Sequence, residues 1–275
     1  MEDKFIDIRK VIGEKNPKLL KQLPGFVLNY LEKVIHQNEV NDFMLANKDA
    51  DGFDFSENVL KYFSIEVDAI GVDHVPKSGG VILACNHPIG GMDAMALIQA
   101  IKAHRTDIKF VVNDILLALK NLSDLFVGVN KHGKNSIQSL NEMNKVFSSG
   151  GATFVFPAGL VSRKSKGIVE DLEWKKTFIT RAKKFNLPIV PVLVDGSLSN
   201  FFYRLSNIRQ MAGIKANLEM LYLVDEQFKQ RDKKVNIYFG EAIKPAALDG
   251  SKTDLQWAQE VKGLIYQLNK HSKKE

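Results

Sequence analysis

Cysteine is almost absent from this sequence: Cys85 is the only one in 275 residues. A single cysteine excludes an intrachain disulfide and favours a reducing compartment. No apolar run approaches the roughly 20 residues that a membrane-spanning helix needs. The first seven residues are too charged for a secretory signal. We therefore expect a cytoplasmic protein that is either soluble or bound to a membrane surface.

The sequence also lacks the usual cofactor motifs. It contains no Gly-x-x-x-x-Gly-Lys-Ser/Thr loop and no Gly-x-Gly-x-x-Gly after a strand, which argues against a nucleotide-binding enzyme. The six histidines show no paired ligand spacing, so neither a metal nor a cofactor is expected. The net charge is +6, but basic and acidic residues are interleaved and no aromatic–basic stacking surface stands out. No nucleic-acid partner is therefore expected.

What is present is a globular composition, with 45% hydrophobic and 25% charged residues. The chain reads as helical up to about residue 63, with an apolar helix face at residues 26–35. From Ile65 onward, β-rich runs alternate with helical ones. The predicted strands are Ile65–Ile70, Val81–Ala84, Ile108–Val112, Phe126–Val129, Thr153–Phe156, Ile189–Val194 and Val235–Phe239. The predicted helices between and after them are Ala94–Ala103, Ser136–Phe147, Trp174–Phe185, Leu218–Gln227 and Asp254–Leu268.

This alternation predicts an α/β fold with a mainly parallel or mixed central sheet flanked by helices. Residues 1–70 are predicted to form an N-terminal helical cap, and residues 71–275 the catalytic α/β domain.

One candidate catalytic pair follows the strand that ends at Ala84. His87 falls at the carboxyl end of this strand, where catalytic groups of α/β sheets gather. Gly90 and Gly91 make a turn possible, and a helix is expected to start near Asp93. A carboxylate bonded to one ring nitrogen leaves the other nitrogen free to take a proton from a hydroxyl. The alternative is that His87 and Asp93 merely cap a turn, which strand-end loops do about as often.

A second segment repeats the strand-to-turn pattern after Phe156. Pro157 and Gly159 form the turn, and Ser162 and Arg163 follow it. Arginine presents a planar fork of donors that suits phosphate, and serine adds a hydroxyl. Residues 163–184 hold eight basic residues against three acidic ones, a basic stretch that is either an anion-binding surface or an ordinary solvated face.

These segments carry a family resemblance. Asn86-His-Pro-Ile-Gly-Gly-Met-Asp93 and Phe156-Pro-Ala-Gly-Leu-Val-Ser-Arg163 resemble two motifs of the glycerolipid (lysophosphatidic-acid-type, PlsC-like) acyltransferase superfamily. The nearest branch is the bacterial hemolysin-like acyltransferases, which share the five residues between His and Asp where the superfamily usually has four. The superfamily's third motif carries a glutamate at the position of Ala158.

Two further motifs are similar but weaker. Phe126-Val-Gly-Val-Asn-Lys131 is similar to the superfamily's second motif, with Asn130 and Lys131 in place of an acidic residue and an arginine. Leu187-Pro-Ile-Val-Pro-Val192 is similar to the fourth. The resemblance spans about residues 65–245.

The resemblance implies a role in phospholipid biosynthesis or related lipid metabolism. A fatty acyl group would move from a thioester of coenzyme A or acyl carrier protein to a hydroxyl of a (lyso)phospholipid or related lipid. His87 would be the general base, oriented by Asp93. Arg163, helped by Lys131 and Ser162, would hold the acceptor's phosphate. The implied substrate-binding set is Asn130, Lys131, Pro157, Gly159, Ser162 and Arg163.

The resemblance also implies a peripheral enzyme on the inner face of the cell membrane, since its lipid acceptor lies there. The basic stretch is the expected membrane contact, through Lys175, Lys176, Lys183 and Lys184. The apolar face at residues 26–35 is instead expected to pack on the α/β domain.

Two other functions remain open from the sequence. Cys85 lies two residues before His87, so a thioester or ester hydrolase is conceivable, although a lone buried thiol is more often packing. A non-catalytic basic protein that binds membrane surfaces is the second, and an assay for thioester consumption separates it from an enzyme. The sequence leaves the oligomeric state open.

Overall fold

The computed structural model describes residues 4–129 and 136–271. In chain order the helices and strands are α1 (Ile8–Lys15), α2 (Pro17–Gln22), α3 (Gly25–Val34), α4 (Gln37–Ala46), α5 (Gly52–Tyr62), β1 (Glu66–Ile70), β2 (Val81–Cys85), α6 (Gly91–Ile101), β3 (Ile108–Asn113), β4 (Phe126–Val129), α7 (Ser136–Ser148), β5 (Ala152–Val155), β6 (Arg163–Ser165), β7 (Ile168–Glu170), α8 (Thr177–Phe185), β8 (Ile189–Asp195), α9 (Asn200–Met211), α10 (Leu223–Phe228), β9 (Lys234–Phe239) and α11 (Asp254–His271). Short 3₁₀ turns connect several of them, including Leu218–Tyr222.

The chain packs into two compact units. The sheet unit comprises residues 51–197 and 232–275, and the helical unit comprises residues 1–50 and 198–231. The division falls at residue 50, whereas the sequence predicted a boundary at residue 70. The helical unit also takes in a segment from the second half of the chain, which the sequence pattern had placed in the α/β domain.

The sheet unit is built on one seven-stranded sheet with the order β1-β9-β8-β2-β5-β3-β4. All neighbouring strands are parallel except β8 and β9, which are antiparallel. The predicted α/β class with a mainly parallel or mixed sheet and an N-terminal helical segment is confirmed. All seven predicted strands are present. A separate two-stranded antiparallel hairpin pairs β6 with β7.

The middle of the sheet forms the core of this unit. Every residue of β2 is completely buried, as expected for an apolar strand covered on both faces. Because β2, β5 and β8 are parallel neighbours, their carboxyl ends lie at the same edge of the sheet. The loops that follow these three strands are therefore brought together, and two of them carry the predicted motifs.

The helical unit has polar contacts of its own. α9 buries Phe202, Tyr203, Ser206 and Arg209, and the guanidinium Nε of Arg209 lies 2.8 Å from the completely buried carboxylate of Glu219. These contacts fasten α9 to the 3₁₀ turn that follows it. No helix in the described part of the chain is long and apolar enough to span a bilayer.

Candidate active site

The loop after β2 is tied to the neighbouring strand by Asn86. Its side-chain amide donates to the main-chain oxygen of Val194 in β8 at 2.9 Å, and its side-chain oxygen accepts from the Val194 N–H at 2.7 Å. Asn86 is buried, so this paired bond replaces the ladder contacts that β2 can no longer make after Cys85. The next residue, His87, therefore starts from a fixed position at the sheet edge.

His87 and Asp93 meet directly. The Nδ1 atom of His87 lies 2.7 Å from Oδ2 of Asp93, and no hydrogen bond joins His87 Nε2 to any residue that the structure describes. The turn between them depends on Gly90, which caps α6 with φ 71° and ψ −133°, a backbone conformation that residues with a Cβ avoid. The five intervening residues therefore bring the two side chains together.

Asp93 is a buried carboxylate in the first turn of α6. It is completely buried, and it also accepts from the N–H of Ile89 at 3.1 Å. Burial raises the pKa of Asp93 to about 6, while the hydrogen bond to His87 opposes that rise. The carboxylate is consequently charged near neutral pH and able to hold a proton on Nδ1 of His87, which leaves Nε2 as the acceptor.

The imidazole is supported on one face by Phe156. The two ring centroids are 4.4 Å apart with an interplanar angle of 30°. The side chain of His87 remains about a fifth exposed, so a substrate can reach it. Phe156 directly follows β5, which places the second motif beside the first.

The main chain of His87 is held by Asp171, a residue that the sequence motifs did not point to. Asp171 is buried and accepts from the His87 N–H at 3.1 Å, from the Ser162 hydroxyl at 2.6 Å and from Trp174 Nε1 at 2.8 Å. Burial raises the pKa of Asp171, and these hydrogen bonds oppose the rise. Its only signal in the sequence was an acidic residue within a basic stretch. The contacts reach as far as 84 residues back along the chain, so local pattern could not find them.

Asp171 is itself fixed by α11. Its N–H donates to the hydroxyl oxygen of Tyr266 at 2.8 Å, and its main-chain oxygen accepts from Lys262 Nζ at 2.5 Å. Helix α11 thus supports the loop that carries His87 through Asp171, although it contributes no side chain to the predicted dyad.

The remaining predicted substrate residues lie in the loop after β5. Pro157 is buried, and its main-chain oxygen accepts from the Lys175 N–H at 3.1 Å. Gly159 is exposed and has a φ of 69°, which suits glycine. The Ser162 N–H donates to the His87 main-chain oxygen at 2.8 Å, so this loop is joined directly to the one that carries His87.

Arg163 is buried, whereas a residue that binds a lipid headgroup was expected to be exposed. Its Nη1 donates to the main-chain oxygen of Val161 at 2.6 Å and to that of Ser162 at 3.3 Å. In this arrangement the guanidinium stabilises the loop that carries Ser162. The other two predicted substrate residues, Asn130 and Lys131, lie outside the described residues.

Cys85 is placed where a nucleophile would not function. It is completely buried, its thiol lies 3.6 Å from the main-chain oxygen of Leu83, and burial raises its pKa well above the ordinary value. Since the thiolate is the reactive form, this environment argues against a cysteine hydrolase. Within residues 4–129 and 136–271, no group of three or more His, Cys, Asp or Glu side chains is arranged to hold a metal ion.

His87 is therefore paired with a buried carboxylate at the edge of the sheet where the ends of parallel strands converge, an arrangement that suits a general base. A profile of the family described as "Acyltransferase" matches residues 10–271. The chain belongs to this acyltransferase family. The resemblance to the glycerolipid acyltransferase superfamily is confirmed, while the hemolysin-like branch stays a prediction.

Two curated relatives of this acyltransferase are similar over nearly their whole length. A lyso-glycine lipid O-acyltransferase of Bacteroides thetaiotaomicron is 41% identical over 96% of this chain and 97% of its own. An enzyme of the same name from Phocaeicola vulgatus is 38% identical over 96% of this chain and 95% of its own.

One solved structure shares the fold. The 1-acyl-sn-glycerophosphate acyltransferase PlsC of Thermotoga maritima matches with a TM-score of 0.51 and 18% identity, covering 79% of this chain and 77% of that one. At this identity the likeness concerns the fold alone.

Proposed function

We propose that this acyltransferase moves a fatty acyl group from a thioester to a hydroxyl of a lyso-glycine lipid, with His87 as the general base. The observation that carries the mechanism is the 2.7 Å contact between His87 Nδ1 and Asp93 Oδ2. The choice of acceptor rests on the two relatives of that name, which align with 96% of the chain.

The reaction needs only one base. His87 Nε2 takes the proton from the acceptor hydroxyl as its oxygen attacks the thioester carbonyl carbon. The tetrahedral intermediate then collapses with cleavage of the C–S bond, and the leaving thiolate recovers the proton from His87. The products are an O-acyl ester and a free thiol. Asp93 fixes the tautomer of the ring and stabilises the imidazolium formed between the two steps.

The proposed acceptor differs from the phosphate-bearing lipid that the sequence motifs led us to expect. Glycine brings no phosphate, but a glycine attached through its nitrogen keeps a free carboxylate. A guanidinium fork binds a carboxylate as well as it binds a phosphate. The proposal therefore keeps Arg163 and Lys131 as the residues that bind the acceptor headgroup, with Arg163 also stabilising the loop that carries Ser162. The hydroxyl of Ser162 donates to Asp171 at 2.6 Å, so the proposed role of Ser162 is to hold this loop.

Mass spectrometry of purified protein incubated with acceptors and donors tests this function. Lyso-glycine lipid and lysophosphatidic acid are compared as acceptors, each with acyl-coenzyme A and with acyl carrier protein as donor, and both the ester product and the released thiol are quantified. We expect O-acylated glycine lipid from wild type and none from His87→Ala.

Three outcomes would contradict the proposal. Acylation of lysophosphatidic acid in preference to lyso-glycine lipid would restore the phosphate-bearing acceptor. Thiol release without any ester product would indicate a hydrolase. Unchanged activity of a folded His87→Ala variant would remove His87 from the reaction.

A further inference from the structure

We infer that the helical unit carries a membrane-docking surface, centred on α9 and the turn after it, which inserts into an anionic lipid bilayer. This surface, called here the α9 patch, consists of six exposed apolar side chains: Phe201, Ile208, Met211, Ile214, Leu218 and Leu221. The inference concerns a second function of the chain, separate from the chemistry at His87, and it does not depend on which lipid is the acceptor.

The two faces of α9 explain how the patch arises. Phe202, Tyr203, Ser206 and Arg209 form the buried face. The spacing of Phe201, Ile208 and Met211 puts them on the opposite face of the helix, within about 80° of one another. A helix on the surface of a globular protein normally turns its polar side outward. Here the outward face carries Phe201, Ile208 and Met211 beside the exposed Arg204, and Met211 and Ile208 are 88% and 64% exposed.

The turn after α9 extends the patch and is held rigidly in place. The N–H of Ile214 donates to the main-chain oxygen of Arg209 at 3.1 Å, and Arg209 Nη1 donates to the Ile214 oxygen at 2.8 Å. The buried Arg209–Glu219 ion pair fastens the 3₁₀ turn that carries Leu218 and Leu221. The backbone that carries the exposed side chains of the turn is therefore held by these hydrogen bonds and by the ion pair.

Aromatic residues border the patch. The ring of Phe201 contacts that of Tyr222 edge-on at 5.0 Å, and the Tyr222 hydroxyl lies 2.9 Å from that of Tyr30 in α3. Lys229 Nζ lies 5.6 Å from the centroid of the Phe201 ring and is held there by Asp225 and Glu226, each at 2.7 Å. Tyrosines with an apolar ring and a polar tip, next to a lysine, are the side chains favoured at the boundary between lipid and water.

The exposed charges around the α9 patch indicate which kind of partner it fits. Residues 198–221 contain four charged side chains: Arg204, Arg209, Lys215 and Glu219. Since Arg209 and Glu219 form the buried pair, the exposed charges are Arg204 and Lys215, both basic. An anionic bilayer is complementary to an apolar patch with such a fringe. A second copy of this chain is not, because a two-fold interface would bring like charges together.

The basic stretch at residues 163–184, the membrane contact expected from the sequence, has two exposed large apolar side chains, Ile168 and Leu172, against six in the α9 patch. Of the four lysines expected to contact the membrane, Lys183 is engaged with Asp254 at 2.7 Å. Lys175, Lys176 and Lys184 are exposed. Electrostatic attraction of these lysines to an anionic bilayer is therefore the alternative that a binding experiment must distinguish from insertion of the α9 patch.

Vesicle co-sedimentation of the full chain tests the inference. The vesicles are phosphatidylcholine with 30% phosphatidylglycerol in one arm and phosphatidylcholine alone in the other, each at low and high salt. Ile208→Glu is compared with Ile168→Glu, a variant of matched exposure because Ile168, in β7 of the sheet unit, is 65% exposed against 64% for Ile208. Ile168 lies in the basic stretch, so this variant also tests the alternative contact. We expect Ile208→Glu to weaken binding to anionic vesicles at least about tenfold and Ile168→Glu to leave it unchanged.

Insertion and attraction differ in their salt dependence. Binding through the α9 patch should fall only partly in high salt, since the apolar contribution persists, whereas binding through exposed lysines should be lost. Equal binding by the two isoleucine variants would overturn the inference, as would absence of vesicle binding by wild type. Loss of binding in Lys175→Glu/Lys176→Glu, with Ile208→Glu like wild type, would move the contact to the basic stretch.

Self-association and loss of catalysis are each distinguished from membrane docking by one further measurement. If sedimentation velocity shows a wild-type dimer that Ile208→Glu dissociates, and vesicles are not bound, the patch is an interface between copies and the inference is wrong. Acyl transfer to an acceptor dispersed in detergent should be the same in Ile208→Glu and wild type. This readout distinguishes a failure of docking from a failure of the proposed chemistry.

Discussion

Asp93→Asn tests the proposed dyad most sharply, because the substitution preserves the volume of a completely buried side chain. The asparagine carbonyl, at the position of Oδ1, can still accept from the Ile89 N–H, which Asp93 Oδ1 does at 3.3 Å. Its amide group then faces His87 Nδ1, which lies 2.7 Å from Oδ2 in the wild type. An amide donates where the carboxylate accepted, so the ring proton must move from Nδ1 to Nε2.

The expected loss of activity is large. With the proton on Nε2, His87 cannot take a proton from the acceptor hydroxyl, although its position is unchanged. The same change of tautomer in serine proteases lowers turnover about 10⁴-fold, which corresponds to about 5 kcal/mol of transition-state stabilisation. We expect a loss of this order in acyl transfer.

The same substitution should raise the free energy of unfolding near neutral pH, although it lowers the activity. The pKa of Asp93 is about 6 in the folded protein against 3.8 as the ordinary value. Between these values the folded state binds more protons than the unfolded state, so the free energy of unfolding decreases as pH rises across this window. The difference amounts to about 3 kcal/mol above pH 6. Asparagine is neutral at every pH, so this decrease is absent from the variant.

Turnover and urea unfolding at pH 5 and pH 7.5 measure both effects. The variant should be inactive at either pH and at least as stable as wild type at pH 7.5. Asp73→Asn, at an exposed position, is the control for the substitution itself and should change neither property. An Asp93→Asn variant with more than a tenth of wild-type turnover would refute the tautomer argument, and one that is unfolded would refute the stability argument.

Three further predictions address the neighbours of the dyad. Lowering the pH through about 6 should reduce kcat/KM, because Asp93 becomes protonated and ceases to hold His87; a flat profile down to pH 5 with the fold intact by circular dichroism would contradict this. Asp171→Asn should lower both turnover and melting temperature, because one amide oxygen cannot accept from the three donors that Asp171 serves. Each donor left without a partner costs about 1–3 kcal/mol. Wild-type values of both quantities would show that Asp171 does not position His87. Arg163→Ala should raise KM for the acceptor and lower the melting temperature, because two loop carbonyls lose their donor; a lower melting temperature with unchanged KM would place the headgroup site elsewhere.

The strands were predictable because their signal is local. β2 and its neighbours are apolar β-rich runs that the fold buries on both faces, so composition alone identifies them. The pairing of His87 with Asp93 was predictable for a similar reason, since six positions of sequence separate them and glycines fill the turn.

α9 was missed for a physical reason. The periodicity that identifies a surface helix is the contrast between an apolar and a polar face. In Asn200–Met211 the exposed residues include the apolar Phe201, Ile208 and Met211 beside the polar Arg204, Asn207 and Gln210. The buried face in turn includes the polar Ser206 and Arg209, so the contrast is weak. The feature that hid the helix from sequence analysis is therefore the same feature that motivates the membrane-docking inference.

The third motif shows how a departure from the family pattern fits its surroundings. Ala158 occupies the position of the superfamily's glutamate and packs in an apolar cluster with Trp174, whose Nε1 donates to Asp171. The site already contains two buried carboxylates, and the charge of Asp171 contributes to the raised pKa of Asp93. A third carboxylate at position 158 would raise that pKa further and leave less of the dyad charged at neutral pH. Alanine is thus compatible with a site in which Asp171, thirteen residues later, supplies the buried carboxylate that joins the loops of His87 and Ser162.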